Sequence, residues 1–140
     1  MEGSLTQHHA RVVWEGTKED LRAHRVEIGG VTVAGSCSPQ WGGDPEKADP
    51  EDMFVAALSS CHMLWFLALA RERRLRVVSY EDRPEGDLDH DTFTFTGVRL
   101  RPEVRFESDP GVEVLAQLHE EAHRRCYIAN SVAIPVEVAG

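Results

Sequence analysis

Two cysteines of this chain lie in sequence surroundings that suit redox chemistry. Cys61 lies within an uncharged stretch, residues 53–70 (MFVAALSSCHMLWFLALA), and Cys126 follows 65 positions later. That separation is too long for a CxxC motif, but the fold can bring together two thiols that are distant in sequence. The thiolate is the reactive form, and apolar burial raises a thiol pKa. A buried Cys61 therefore requires a nearby cation or strong hydrogen-bond donors.

A long helix is predicted to carry Cys61. The sequence DPED at positions 49–52 supplies a capping carboxylate, a proline for the first helical position and two acids that complement the positive end of the helix dipole. Residues 71–74 (RERR) supply cations at the other end. Cys61 lies about eleven residues into this helix, beyond the first turn in which the dipole acts, so a side chain must activate its thiol.

An arginine is the expected activator of the Cys61 thiol. A guanidinium remains charged when buried, and it can face a sulfur and a carboxylate together. The carboxylate candidate is Glu51, which lies ten residues before Cys61. Ten residues span about 15 Å along a helix axis, so both side chains serve one site only if they come from different subunits or a long arginine bridges them.

Length, charge and cysteine count limit the classes of protein to consider. A chain of 140 residues fits one domain, residues 1–140. A formal charge of −9 provides no basic surface, which argues against nucleic acid and anionic membranes as partners. Three cysteines are too few for a secreted disulfide scaffold, and the start MEGSLTQHHA lacks the apolar core of a signal peptide, so a cytoplasmic location is expected.

The uncharged stretch lies at the lower length limit of a membrane span. Eighteen residues reach about 27 Å, against a hydrocarbon thickness of about 30 Å, and the polar residues 59–62 (SSCH) lie at the centre. This composition favours a core helix. A helix that is apolar nearly all round must be covered nearly all round, and one sheet covers one side. A second copy of the chain is expected on the other side.

The remaining sequence predicts runs of strands with separate helices. Strands are predicted at residues 11–15, in a hairpin over 25–33 around Gly29-Gly30, at 77–80, over 92–106 with a break at Pro102, and at 131–138. Residues 35–48 read as a loop and 85–91 as an acidic turn. A second helix is predicted from Asp109-Pro110 to Arg125. This order predicts an α+β fold.

Two segments of the chain resemble motifs of the OsmC/Ohr family. Residues 49–61 (DPEDMFVAALSSC) are similar to its central-helix motif, and residues 123–131 (HRRCYIANS) to its second-cysteine motif, in the same order and spacing. The agreement extends from about Val12 to Val138. The resemblance implies an OsmC-like α+β fold with a strand-covered central helix, an intertwined homodimer with two sites at the subunit interface, and thiol-dependent reduction of hydroperoxides, preferentially organic ones.

The same resemblance implies roles for individual residues. Cys61 would be the thiol that attacks the peroxide and becomes a sulfenic acid, and Cys126 would resolve it to a disulfide. The motif glutamate corresponds to Glu51. The activating arginine would lie on the N-terminal hairpin, where Arg22 is assigned and Arg25 is the alternative. The resemblance implies no cofactor or metal, and it implies a dithiol reductant such as a dihydrolipoyl protein.

Two other interpretations of the chain remain open. The dimer could be non-enzymatic, sensing oxidants through its thiols or binding a small apolar ligand in a pocket lined by Trp41, Phe54, Met63, Trp65, Phe66 and Tyr127. Residues 119–123 (HEEAH) also fit the HExxH pattern of zinc hydrolases, with His119 and His123 as ligands and Glu120 as the base. No third ligand is evident from the spacing of the other histidines, and His62 is interpreted as a satisfied core residue.

Overall fold

The computed structural model describes residues 4–140 of the chain and confirms the α+β class. Eight strands are present within these described residues: β1 (Arg11–Trp14), β2 (His24–Ile28), β3 (Val31–Gly35), β4 (Val77–Glu81), β5 (Glu85–Asp89), β6 (Thr94–Leu100), β7 (Glu103–Phe106) and β8 (Val136–Val138). The helices are α1 (Pro50–Glu72), α2 (Val112–Arg125) and α3 (Tyr127–Asn130), with a short 3₁₀ helix at Pro39–Trp41. The residues divide into two compact units, with the boundary between Met53 and Phe54. The single domain over residues 1–140 stays a prediction.

The N-terminal unit contains an antiparallel sheet of three strands in the order β1-β2-β3. The predicted hairpin around Gly29-Gly30 is present, with Ile28 paired to Val31 across a two-residue turn. Both glycines have positive φ angles, +53° and +85°, which glycine adopts without the steric cost that a Cβ would add. The sequence pattern therefore predicts this sheet correctly.

Helix α1 begins and ends where its capping residues predict. The Asp49 carboxylate accepts a hydrogen bond of 2.7 Å from the backbone N–H of Asp52, so it caps the first turn, and the helix ends at Glu72 within the RERR segment. One face of α1 is buried, through Leu58, His62, Phe66, Leu69 and Ala70. A second face, formed by Ala57, Ser60, Leu64 and Ala68, is exposed in the single chain.

Two apolar clusters form the core of the C-terminal unit. In the first, α1 packs on α2 through Phe66, Leu69, Ala70, Leu118 and Ala122. In the second, Leu58 of α1 packs on Val98 and Leu100 of β6. Burial of each large side chain stabilises the fold by roughly 1.5–3 kcal/mol. Both clusters include α1, so the helix that carries Cys61 is held on either side of that residue.

The strands of this unit form two sheets. Strand β4 pairs antiparallel with β7, while β5, β6 and β8 form a second sheet in which β6 and β8 are parallel. Three sequence expectations differ from these elements. The predicted acidic turn at residues 85–91 is wrong over Glu85–Asp89, which form strand β5. Helix α2 begins at Val112, later than Asp109-Pro110, and only Val136–Val138 of the predicted closing segment form a strand.

Helix α1 meets the length and composition of a membrane span, with a mean hydropathy of 1.8 over its most apolar window. In the structure 39% of that window is buried within the chain. Its buried apolar side chains belong to the two apolar clusters described above. This packing is typical of the central helix of a globular α+β fold.

Candidate functional site

The structure brings the Cys61 and Cys126 thiols together. Cys61 lies on α1 and is half-buried, whereas Cys126 is the C-terminal cap of α2 and is only 1% exposed. The Cys61 side chain lies near enough to Cys126 to raise the pKa of its thiol. Both are free thiols. A half-exposed thiol beside a buried one suits stepwise oxidation to a disulfide.

The Cys126 thiol is held in its protonated form. Burial raises its pKa above the ordinary value, and the neighbouring Cys61 raises it further. Backbone N–H groups act in the opposite direction, because the Cys126 sulfur accepts a hydrogen bond of 3.5 Å from the N–H of Ala129 in α3. Burial prevails over these donors, so the Cys126 thiol keeps its proton at neutral pH.

Aromatic and cationic side chains border the thiol pair. Trp65 follows Cys61 by one helical turn on α1, and the guanidinium carbon of Arg125 lies 5.6 Å from the centre of the Trp65 ring. Tyr127, the residue after Cys126, packs edge-on against the same ring at a centroid distance of 5.7 Å. Trp65 therefore contacts both sequence neighbours of Cys126.

A buried histidine pair links α1 to α2. Nε2 of His62 and Nδ1 of His119 share a hydrogen bond of 3.0 Å, and the rings are stacked with 9° between their planes. Burial lowers the pKa of His62 to about 4, with smaller contributions from the charges of His119 and His123. Burial also lowers the pKa of His119, with Asp82 acting in the opposite direction. Both rings are therefore neutral near pH 7.

His62 differs in one respect from the satisfied core histidine expected from the sequence. It is 1% exposed, but its Nδ1 atom has no hydrogen-bond partner within residues 4–140, and the same holds for Nε2 of His119. An unpaired buried polar atom costs roughly 1–3 kcal/mol. The two histidines thus form a polar contact inside an otherwise apolar core, and one ring nitrogen of each is buried without a hydrogen bond within residues 4–140.

The HExxH residues do not assemble a three-ligand metal site in the described part of the chain. His119 is buried and uses Nδ1 to contact His62, while His123 is exposed. Both histidines border one surface hollow of about 260 Å³ with Glu120. No group of three or more His, Cys, Asp or Glu side chains within residues 4–140 has a metal-binding arrangement. The geometry therefore does not favour the zinc-hydrolase interpretation.

The residues predicted to activate Cys61 have other surroundings in the single chain. Glu51 lies in the first turn of α1 and is half-buried, and its side chain forms no hydrogen bond or ion pair within residues 4–140. Arg22 is exposed and donates from Nε to the carbonyl oxygen of Trp41 at 3.1 Å. Arg25 forms ion pairs with Glu15 and Glu27 at 2.9 Å each. The activating role of Glu51 and Arg22 stays a prediction.

Residues 43–139 match the family model described as OsmC-like protein. The chain belongs to the OsmC-like protein family. The match covers more than two thirds of the sequence and confirms the resemblance inferred from the two cysteine motifs.

Individual relatives of this OsmC-like chain cover almost its whole length. A solved OsmC-like protein of unknown function from Vibrio cholerae is 37% identical, with 96% of this chain and 99% of that one covered and a TM-score of 0.88. The uncharacterized protein YmaD of Bacillus subtilis is 22% identical over 96% of this chain and 93% of its own length. A solved organic hydroperoxide resistance protein from Legionella pneumophila is 17% identical, covers 96% and 97% of the two chains, and has a TM-score of 0.73, which shows a shared fold.

Sequence reasoning identified the two thiols but missed two features around them. The His62–His119 pair joins residues 57 positions apart, and no spacing rule indicates such a contact. Arg125 was not singled out, although it precedes Cys126 directly. The sequence does contain one signal for the side chains near Arg125. Trp65 follows Cys61 at the four-residue spacing that places two side chains on one helical face.

Proposed function

We propose that this OsmC-like protein is a cysteine peroxidase that reduces organic hydroperoxides. The observation that carries the proposal is the proximity of two free thiols from separate elements, one half-buried and one buried. Membership of the OsmC-like family supports a peroxidase-like role. The shared fold with an organic hydroperoxide resistance protein points in the same direction.

In the first step the Cys61 thiolate attacks the terminal oxygen of the hydroperoxide. An S–O bond forms and the O–O bond breaks, and the departing alkoxide takes up a proton and leaves as an alcohol. The sulfur is oxidised by two electrons to a sulfenic acid, and the hydroperoxide is reduced. The half-buried position of Cys61 suits this step, because a substrate has to reach its sulfur.

In the second step Cys126 resolves the sulfenic acid. Its sulfur attacks the Cys61 sulfur, so that an S–S bond forms and the S–O bond breaks. The departing hydroxide combines with the Cys126 proton and leaves as water. The raised pKa of Cys126 supports this assignment, because a buried thiol that stays protonated is a poor first nucleophile but retains the proton that the leaving group needs.

Regeneration requires a dithiol reductant. Two thiolate–disulfide exchanges return Cys61 and Cys126 to thiols while the reductant becomes a disulfide. We propose a small dithiol or a dihydrolipoyl protein for this role. We also propose a cytoplasmic location, because a reducing compartment keeps thiols free and the composition is acidic and poor in cysteine. No cofactor takes part in these steps.

The proposal includes a homodimer. The face of α1 formed by Ala57, Ser60, Leu64 and Ala68 is small or apolar and exposed in the single chain, with Leu64 60% exposed. A face of this kind gains stability when a second copy covers it. A dimer would also supply a route for Glu51 and Arg22 to act at a Cys61 site, since residues of one subunit can then serve the thiol of the other.

The function is tested by turnover with cumene hydroperoxide and a dithiol reductant. The wild-type protein is expected to consume the peroxide catalytically, and Cys61→Ser to abolish consumption. Cys37→Ser is the matched control, because it removes a half-buried loop thiol that forms no part of the pair, and it should retain full activity. A disulfide that forms without catalytic turnover would favour the non-enzymatic sensor, and undiminished turnover in Cys61→Ser would refute the peroxidase assignment.

A further inference from the structure

The two residues that flank Cys126 both contact a side chain that lies one turn beyond Cys61. The Arg125 guanidinium carbon is 5.6 Å from the Trp65 ring centre, and the Tyr127 ring centre is 5.7 Å from it with 61° between the planes. Trp65 lies about 6 Å further along the α1 axis than Cys61 and on the same helical face. These three side chains, the Trp65 cluster, therefore adjoin both thiols.

The Trp65 cluster offers an accessible aromatic surface beside a buried thiol. Tyr127 is 68% exposed and Trp65 is half-buried. Cys126, which lies between Arg125 and Tyr127 in the sequence, is only 1% exposed. Aromatic rings at edge-to-face geometry can hold a further planar group through their faces and edges. An apolar, planar part of a substrate therefore has a place to bind while its reactive end reaches Cys61.

The cluster also presents positive charge. Glu121 accepts hydrogen bonds from Arg124 and from Nε of Arg125, so these three side chains carry a net charge of +1 in a chain whose formal charge is −9. The Arg125 side chain is 41% exposed, and within residues 4–140 only its Nε atom donates a hydrogen bond. The remaining N–H groups of the guanidinium form the planar fork that binds a carboxylate.

We propose that the Trp65 cluster is a recognition subsite for hydroperoxides that carry an aromatic ring and a carboxylate. Arg125 binds the carboxylate, Trp65 and Tyr127 hold the ring, and the peroxide group reaches the Cys61 sulfur. This inference rests on the proposed peroxidase function and adds a substrate class to it. The bonds formed and broken at Cys61 are those of the first step described above.

A matched pair of substrates tests the subsite. Para-carboxy cumene hydroperoxide and its methyl ester share one peroxide group and one ring, and they differ in the negative charge that Arg125 would bind. The measurement is the second-order rate constant for oxidation of Cys61 by each compound. The wild-type protein is expected to react about tenfold faster with the acid, a ratio that corresponds to one modest charge-assisted hydrogen bond.

Variants assign the preference to one guanidinium. Arg125→Gln is expected to bring the acid-to-ester ratio to about one, because the acid loses the guanidinium that binds its carboxylate. Arg124→Gln is the matched control, since it removes the same charge from the same Glu121 partner but has no aromatic ring contact within residues 4–140; it should keep the preference. Tyr127→Ala should slow the acid and the ester together, because it removes part of the ring surface.

The outcomes separate the subsite from the function on which it rests. A wild-type protein that reacts with cumene hydroperoxide but does not favour the acid overturns the subsite and leaves the peroxidase standing. Loss of the preference in Arg124→Gln to the same extent as in Arg125→Gln overturns it as well, because long-range charge would then explain the ratio. No reaction with cumene hydroperoxide or with either matched compound overturns both. A wild-type ratio near one requires no variant to fold, so that result by itself overturns the subsite.

Discussion

Acidification is predicted to destabilise the fold through His62. Its pKa is about 4 in the folded chain, against about 6.5 when exposed, because burial disfavours the charged ring. Between these two pH values the unfolded chain binds more protons than the folded chain. The contribution of the neutral His62 to the free energy of unfolding is therefore fully present above pH 6.5 and is lost as the pH falls towards 4. A gap of about 2.5 pH units at about 1.36 kcal/mol per unit amounts to a loss of about 3 kcal/mol.

Urea unfolding at a series of pH values from 7 to 4, at fixed protein concentration, measures this loss. His62→Gln removes the titrating ring and keeps a side chain that can hydrogen-bond to His119, so its loss on acidification should be smaller than that of wild type by about 2–3 kcal/mol. His9→Gln, at an exposed histidine, is the control and should behave as wild type. If His62→Gln loses as much stability as wild type over this range, the buried neutral histidine is not the cause.

Substitutions at three further residues test the site and the fold. Glu51→Gln should slow oxidation of Cys61 by a hydroperoxide in stopped-flow measurements without changing the thermal unfolding midpoint, and an unchanged rate would refute the electrostatic role. Gly86→Ala should lower the free energy of unfolding by about 1–3 kcal/mol, because the new methyl group would lie 2.9 Å from Phe95 and from Val55; equal stability in urea would contradict the packing at this strand. Asp49→Ala should cost about 1 kcal/mol by removing the cap of α1, while Asp49→Asn should recover most of it, and equal losses in the two variants would argue against capping.

The elements read correctly from the sequence are those with strong local signals. Helix α1 has a capping aspartate, a proline at its start and cations at its end, and the hairpin of β2 and β3 has two glycines between β-branched runs. Strand β5 has no such signal, because its sequence (EGDLD) is acidic and contains glycine. Its pairing with β6 places Asp87 and Glu85 near Arg99, with Asp87 at 2.7 Å, so cross-strand charges stabilise what the local sequence disfavours.

The start of α2 shows how backbone geometry alters a capping prediction. Asp109 was expected to begin the helix with Pro110, but its carboxylate accepts a hydrogen bond from the N–H of Gly111. Gly111 has a φ angle of +93°, outside the helical region, so the first helical residue is Val112. A turn stabilised by the same aspartate thus precedes the helix.

The candidate site was only partly predictable for a similar reason. The family resemblance implied that Cys61 and Cys126 form a pair, and neither composition nor the separation of 65 positions determines that they meet. Two buried contacts between α1 and the rest of the C-terminal unit determine it, one through Phe66 and one through Leu58. Such contacts between distant residues depend on the tertiary packing, which local sequence patterns do not report.

Intact mass spectrometry before and after one equivalent of cumene hydroperoxide tests the central claim most directly. The wild-type protein is predicted to lose the mass of two hydrogen atoms as Cys61 and Cys126 form a disulfide, and Cys126→Ser to gain one oxygen atom as the sulfenic acid persists. A dithiol should reverse both changes. An unchanged mass of the wild-type protein, or a disulfide that forms equally well in Cys126→Ser through Cys37, would contradict the account.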